Sequence, residues 1–245
     1  MMRRHIRLLG AVAAAGIGVG TLGACGLVPG ETYEDSAKLS EKVEAVHLDG
    51  SVGAVRLRSK ETVTEVSLHR SVEFDGDKPR KRTYGVEDGV LVLRGCGDDC
   101  SVSYTVDLPP RVSVDGGTSS GGISLSGVGK VDVTSDSGAV DLDDVDGTVR
   151  VRTTNGRING RGLKGEDVRA ETSNGAIDLN LSTPQDVRAR TSNGAVSVTA
   201  PDGRYRVSAR TSNGDKAIGL RDEPSGDHTL DLATTNGSIK VKKAG

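Results

Sequence analysis

The stretch "RTSNGAVSV" at 190–198 contains the motif that decides the fold. Close copies are "RTTNGRI" at 152–158, "ETSNGAI" at 171–177, "RTSNG" at 210–214 and "TTNGSI" at 234–239. Apolar residues flank the Asn-Gly pairs at alternate positions, which is the pattern of two short strands joined by a tight turn. The motif is therefore either a ligand site that is repeated along the chain or one corner of a repeated fold.

The repeat extends upstream, where the asparagine is absent. "TSDSGAVDL" at 134–142, "TSSGGISL" at 118–125 and "VHLDGSVGAVRL" at 46–57 keep the glycine and the flanking apolar positions. A binding site would keep the side chain that binds, whereas a turn keeps the residue that bends. We therefore interpret the motif as a structural turn ladder, with a glycan-binding row of amides as the alternative. The ladder consists of Asn155, Gly156, Asn174, Gly175, Asn193, Gly194, Asn213, Gly214, Asn236 and Gly237.

The repeat also predicts the fold class. A unit of about 17–23 residues cannot bury its own apolar face, so it must stack on its neighbours, and equivalent strands then pair in parallel. We predict an all-β, single-stranded parallel β-helix, or solenoid, in a domain spanning 43–245, with tandem rungs over 113–245. Residues 58–112 interrupt the repeat and predict an antiparallel hairpin region that caps the N-terminal end. The Lys-rich "SIKVKKAG" at 238–245 is expected to guard an exposed edge.

The N-terminus has the features of an export signal. Three arginines precede an apolar run that ends in Leu22-Gly23-Ala24-Cys25, which resembles the lipobox of bacterial lipoproteins. We predict a signal peptide over 1–24, lipidation of Cys25 and anchoring at the extracytoplasmic face of the cell membrane, with an ordinary secretory signal as the alternative. The polar residues 25–42 predict a flexible tether between lipid and domain.

The other two cysteines lie close together in "RGCGDDC" at 94–100. Because export places them in an oxidising compartment, Cys96 and Cys100 predict a disulfide. Alternating residues on both sides predict that it pins a hairpin across its turn, and a redox role is the alternative. A zinc site needs about four ligands, and the histidines are scattered. We therefore predict no metal site, and we expect no cofactor.

The segments "GAVRL", "SGAVDL", "NGAIDL" and "NGAVSV" resemble the DUF4097 family of bacterial adhesin-like proteins. The order of segments is also similar, with a first "GAV" unit, a hairpin region that ends in "VDLPP", and then tandem Ser-Gly and Asn-Gly units. This resemblance covers about 43–245. It implies a β-helical domain on an exported or membrane-anchored protein, here a lipoprotein of actinobacterial type. It supplies no catalytic residues.

Charged side chains at outward positions provide the binding candidates. Six arginines predict a basic stripe, which we interpret as a solvated face, with binding of an anionic polymer as the alternative: Arg150, Arg152, Arg169, Arg188, Arg190 and Arg210. Glu171 interrupts the stripe. An acidic cluster at 136–146 could suit calcium, but the calcium-binding repeats of other β-rolls are absent, so we interpret it as a solvated turn. This cluster comprises Asp136, Asp141, Asp143, Asp144 and Asp146.

The sequence contains no recognisable catalytic arrangement. There is no Ser/His/Asp order, metal triad or phosphate loop. We expect a non-enzymatic envelope lipoprotein that presents a repetitive face to a cell-wall polymer, a glycan or an envelope protein, and no basic excess points to nucleic acid. The alternatives are a polysaccharide lyase or hydrolase on the same fold, which a convergent Asp/Glu pair in one groove would favour, and a passive envelope or sensor-accessory component.

Overall fold

The computed structural model describes residues 30–50, 52–97 and 99–245, which form two β-sheets. In this part of the chain, no helix is long and apolar enough to cross a membrane. Sheet A has eleven strands in the order β1-β4-β7-β3-β9-β11-β13-β15-β17-β21-β19, and sheet B has ten in the order β18-β20-β16-β14-β12-β10-β8-β2-β6-β5. The strands are β1 (Glu31–Leu39), β2 (Ala45–Asp49), β3 (Val55–Ser59), β4 (Val66–Phe74), β5 (Tyr84–Glu87), β6 (Val90–Arg94), β7 (Cys100–Leu108), β8 (Ser113–Ser120), β9 (Ile123–Ser126), β10 (Val131–Ser137), β11 (Val140–Asp143), β12 (Val149–Asn155), β13 (Ile158–Leu163), β14 (Asp167–Asn174), β15 (Ile177–Leu181), β16 (Asp186–Asn193), β17 (Val196–Ala200), β18 (Tyr205–Asn213), β19 (Lys216–Ile218), β20 (His228–Asn236) and β21 (Ile239–Lys243).

The central rungs stack in chain order, and each contributes one strand to each sheet. Equivalent residues pair in register, so Val168 of β14 lies opposite Val149 on one side and Val187 on the other. Alternate side chains of both sheets point inward and form one continuous apolar core, while their neighbours face solvent. The prediction of an all-β parallel solenoid is therefore confirmed.

The glycine column marks the corner where the chain passes from sheet B to sheet A. A Cβ atom on Gly175 would lie 2.0 Å from the carbonyl oxygen of Gly156, and one on Gly194 would lie 2.0 Å from that of Gly175. Stacked backbones approach so closely here that no side chain fits. Thr172 adds to the corner because its hydroxyl donates a 3.0 Å hydrogen bond to the carbonyl oxygen of Gly156. The glycine is thus required by rung stacking.

The asparagines form a continuous hydrogen-bonded ladder beside the glycines. Four of the five amides donate from Nδ2 to the Oδ1 of the asparagine on the neighbouring rung, at 2.8–2.9 Å, and the amide of Asn155 only accepts. The ladder runs Asn155, Asn174, Asn193, Asn236 and Asn213, so the last two members are reversed relative to the sequence. Paired amides of this kind stabilise stacked strands.

The same reversal applies to whole rungs at the C-terminal end. The final rung, β20 and β21, lies between β16/β17 and β18/β19, so that β18 and β19 are the outermost strands. Leu232 and Val241 of the final rung are fully buried, whereas Ala209 of the outer rung is only half-buried and Ile218 is 38% exposed. The expectation that the Lys-rich terminus guards an edge is wrong, because β21 is an interior strand.

The N-terminal end encloses its first rung in a similar way. Strands β2 and β3 lie between the pair β6/β7 and the pair β8/β9, although β6 and β7 follow them by more than thirty residues. Strands β1 and β4 then extend sheet A in antiparallel pairing, and β5 forms an antiparallel hairpin with β6. The antiparallel region predicted near this end is therefore present.

The predicted hairpin around the disulfide is not formed. Strand β6 belongs to sheet B and β7 to sheet A, so the chain turns a corner from one sheet to the other between these strands and does not close a hairpin. The predicted disulfide between Cys96 and Cys100 is confirmed, with the Cα atoms 5.8 Å apart. It joins the two ends of this corner.

The tether predicted over 25–42 is wrong for residues 31–39, which form strand β1. Tyr33 packs edge-on against Phe74, with ring centroids 6.0 Å apart. Asp35 pairs with Arg70 of β4, whose side chain is 8% exposed and also donates a 2.8 Å hydrogen bond to Thr83. Asp35 belongs to a segment whose polar sequence predicts a solvated linker, yet its carboxylate neutralises the buried guanidinium of Arg70. The predicted signal peptide and Cys25 lie outside the described residues.

Candidate binding surface

The predicted arginine stripe lies on the outward face of sheet B and forms two rows along the solenoid axis. In the first row, Arg150, Arg169 and Arg188 occupy the same register on β12, β14 and β16. In the second row, the register places Arg152, Glu171, Arg190, Ala233 and Arg210 on five neighbouring strands. Parallel pairing therefore brings all six arginines to one face, but Arg190 and Arg210 are separated by β20.

Acidic side chains accompany these arginines. Arg152 donates a 2.7 Å hydrogen bond to Glu171, and Arg169 lies 3.0 Å from Asp167 of the same strand. Arg150 is 3.8 Å from Asp132, a distance at which no hydrogen bond forms. The surface is thus a lattice of alternating charges rather than a bare cationic stripe.

Asp231 is the centre of this lattice at the C-terminal end. Its carboxylate accepts hydrogen bonds from Arg190 at 3.0 Å and from Arg210 at 2.6 Å, and it lies 3.9 Å from Arg188. Partial burial by itself would raise the pKa of Asp231, but the hydrogen bond from Arg190 and the charges of Arg210 and Arg190 outweigh it and lower the pKa. The sequence does not reveal the role of Asp231. Stacking in chain order would place Arg190 directly beside Arg210, without the strand that carries Asp231 between them.

A shallow groove of about 280 Å³ opens between the arginine rows and the corner. Arg152, Glu171 and Arg190 line one side, and hydroxyl side chains of successive rungs line the other: Thr154, Ser173 and Ser192. These hydroxyls are exposed, whereas the threonines one position earlier are buried and bonded to the corner. The groove combines guanidinium, carboxylate and hydroxyl groups at the spacing of the strands, which suits a hydroxyl-rich chain more than a densely charged one.

The acidic cluster predicted at 136–146 is divided among different surfaces. Asp136 is on sheet B, Asp141 and Asp143 face outward from sheet A, and Asp144 and Asp146 lie 2.5 Å and 3.4 Å from Lys164. No group of three or more His, Cys, Asp or Glu side chains in the described part of the chain could hold a metal ion. Asp144 and Asp146 therefore have a structural role, because both form ion pairs with Lys164.

Asp141 and Asp143 do share a groove, which is the arrangement that would bear on catalysis. They project from one strand, β11, on the same wall. Glycosidase carboxylates flank the scissile bond from two sides, so two carboxylates on one wall do not converge as that reaction requires. The geometry therefore favours binding at this groove over hydrolysis.

The rungs stack in register to form two sheets, and the chain turns from one sheet to the other at a conserved position of the repeat, a glycine. These features define the protein as a parallel β-solenoid. The Toastrack DUF4097 family matches residues 111–242, which are more than half of the chain. The chain therefore belongs to the Toastrack DUF4097 family. No curated protein matches it.

Solved structures of similar shape come from several bacteria. A candidate adhesin from Bacteroides fragilis NCTC 9343 is 14% identical, covering 87% of this chain and 97% of its own, with a TM-score of 0.48. A candidate lipid-binding protein from Parabacteroides distasonis ATCC 8503 is 9% identical, covering 88% and 98%, with a TM-score of 0.46. A candidate cell adhesion protein from Clostridium sporogenes ATCC 15579 is 14% identical, covering 87% and 100%, with a TM-score of 0.36. At these values the likeness carries no argument about function.

Proposed function

We propose that this protein is a non-enzymatic component of the cell envelope, anchored by lipid at Cys25, that binds an acidic cell-wall polymer or glycan along sheet B. The observation that carries the proposal is the in-register row of Arg150, Arg169 and Arg188 on three adjacent strands. Neighbouring strands are about 4.8 Å apart, so the row offers one guanidinium per rung to an extended polymer.

The ion pairs of this row set the kind of polymer that fits. Arg150 and Arg188 lie 3.8 Å and 3.9 Å from their nearest carboxylates, so a ligand carboxylate or phosphate can compete for either guanidinium. The intervening acids would repel a densely charged polyanion but can accept hydrogen bonds from sugar hydroxyls. A hydroxyl-rich polymer with spaced negative charges therefore fits best.

Two features support the proposed location of the protein in the cell envelope. The Cys96–Cys100 disulfide suits an oxidising, extracytoplasmic compartment. The N-terminal lipobox-like sequence supplies the anchor in this proposal, and a rigid solenoid then holds sheet B near the membrane surface.

The test is retention on immobilised polygalacturonate in a salt gradient. Replacing Arg150, Arg169 and Arg188 with Gln is expected to lower the eluting salt concentration markedly, because retention depends on the neutralised charges. The matched control replaces Lys38, Lys240 and Lys242 of sheet A with Gln, which removes the same number of charges from the opposite face. Equal elution of the two triple variants would contradict the proposal.

A further inference from the structure

A second groove, of about 190 Å³, lies on the outward face of sheet A, away from the arginine rows. The register of the strands determines its shape. Ser124 and Ser126 of β9 lie between β3 and β11, and their short side chains form the floor. Arg56 and Arg58 of β3 stand beside this floor in the same two registers. One wall of the groove is therefore cationic.

The opposite wall carries two carboxylates, and Arg161 of the next strand lies in register beside one of them at its outer edge. Asp141 and Asp143 of β11 occupy the same registers as Ser124 and Ser126 on the other side. The two walls are separated by two strand spacings, or about 10 Å between backbones. The structure thus holds two arginines and two aspartates facing each other across a row of hydroxyls.

One charged side chain on each of these two walls remains unpaired. Arg58 lies 2.9 Å from Asp107, and Asp141 accepts a 2.7 Å hydrogen bond from Asn159. In residues 30–50, 52–97 and 99–245, by contrast, Arg56 and Asp143 have neither an ion pair nor a side-chain hydrogen bond. The six arginines of the two rows on sheet B, in contrast, all have an acid within ion-pair distance. The groove in sheet A therefore keeps opposite charges apart, whereas sheet B pairs them.

Separated charges select a particular ligand chemistry. A simple anion attracted to Arg56 would also meet the field of the aspartates, and a simple cation near Asp143 would meet that of the arginines. A zwitterion satisfies both walls at once, and the serine hydroxyls can donate to or accept from the atoms between its charges.

We propose that this groove binds a small zwitterionic group that carries an oxyanion and an ammonium, of the phosphoethanolamine type. Arg56 and Arg58 hold the phosphate, and Asp141 and Asp143 hold the ammonium. The group can be a free phosphate monoester or a phosphodiester within a headgroup or polymer. This site is on the face opposite the arginine rows and does not depend on the function proposed for them.

The experiment titrates the protein with phosphoethanolamine and glycerophosphoethanolamine, and with inorganic phosphate and ethanolamine at equal ionic strength, following the amide NMR signals of 124–126. We expect both singly functional probes to bind about tenfold more weakly, since each loses one charge-assisted interaction. Binding of the diester assigns the site to bound headgroups, and binding of the monoester alone assigns it to a free metabolite; each result supports the proposal. Equal binding of phosphate, ethanolamine and the zwitterions would overturn it.

Variants separate the groove from general charge effects. Arg56→Gln and Asp143→Asn are each expected to weaken binding about tenfold. Ser126→Gln keeps every charge but fills the floor, and it is expected to abolish binding. Arg206→Gln on sheet B, outside the two arginine rows, is the control and should leave the affinity unchanged. All four side chains face solvent or are half-buried, so the fold should tolerate these changes. Unchanged affinity in both Arg56→Gln and Ser126→Gln would contradict the assignment.

Discussion

The central rungs and the terminal rungs of this solenoid follow different rules of order. From β8 to β17 each rung stacks on the one before it in the chain. At the ends, the first rung, β2/β3, and the last rung, β20/β21, are each enclosed by a rung that lies nearer the middle of the sequence. Chain order therefore determines the stacking of the central rungs but not that of the terminal rungs.

Apolar burial explains the enclosure at the C-terminal end. The final rung contributes four fully buried side chains, Leu230, Leu232, Ile239 and Val241. In the outer rung Tyr205 is also buried, but Val207, Ala209 and Ile218 are smaller or are left partly exposed. Because the hydrophobic gain scales with the area removed from water, the interior position favours the more apolar rung. Enclosure also protects the last rung from fraying, to which chain termini are prone.

The largest expected effect is at the central corner. In Gly175→Ala, the added Cβ would meet the carbonyl oxygen of Gly156 at 2.0 Å, so the stacked backbones must separate. We expect a loss of about 3 kcal/mol or more in the free energy of unfolding. The matched control is Gly122→Ala, where the nearest atom is 3.5 Å away. Chemical denaturation measures both, and similar stabilities would show that the corner tolerates a side chain.

The next effect compares the two terminal rungs directly. Leu232→Ala in the enclosed rung is expected to cost about 2–3 kcal/mol, because its side chain is fully buried. Val207→Ala in the outer rung is expected to cost about 1 kcal/mol, because its side chain is half-buried. Urea unfolding of the two variants tests this ranking. A larger loss in Val207→Ala would place the outer rung inside the stack.

A smaller effect is expected from Asp231→Asn, which leaves three arginines without their shared carboxylate. Because the folded-state pKa of Asp231 is lowered, its contribution is full above the ordinary Asp pKa of about 3.9 and is lost as the pH falls through the lowered value. We expect the variant to be less stable by about 1 kcal/mol at pH 7 and to approach the original protein in stability at pH 3. The control is Asp178→Asn on sheet A. A difference that does not depend on pH would exclude this origin.

The smallest effect is expected in the amide ladder. Asn193→Ala removes the hydrogen bonds to Asn174 and Asn236, which lie at the surface. We expect a loss of about 0.5–1 kcal/mol, because water replaces exposed hydrogen bonds readily. Asn180→Ala on β15 is the control. Thermal unfolding of the pair measures the contribution of the ladder, and equal melting temperatures would show that the ladder contributes nothing.

Much of the fold could be predicted from the spacing of the glycines. A repeated turn between two strands of alternating apolar and polar residues can bury its apolar side chains in only a few ways. The order of the terminal rungs could not, because Asn213 and Asn236 match the ladder equally well in either order. Which of them lies inside depends on the buried area of Leu230 and Leu232 compared with Ala209, a property of the assembled core.

For the candidate sites too, residues that belong to a repeat could be predicted from the sequence, whereas residues placed by tertiary contacts could not. The arginines of sheet B are visible as a repeat, so their common face could be predicted. Asp231 and Asp35 are single residues whose partners lie far away in sequence, and Arg56 is a single residue whose groove is completed by other rungs. No local pattern marks any of the three. Asp35 lies in a stretch of polar sequence that resembles a linker, and its partner, Arg70, is 35 residues away.

The enclosed position of the last rung can be measured directly by cysteine cross-linking. Lys240 of β21 is in register with Ser197 of β17 and with Ala217 of β19, so each pair is within reach of a disulfide. In a Cys25→Ser background, cysteines at 197 and 240, and at 217 and 240, should link in high yield. Cysteines at 197 and 217, two strand spacings apart, should remain free. A link between 197 and 217 without one between 197 and 240 would show that the rungs stack in chain order and would contradict the account.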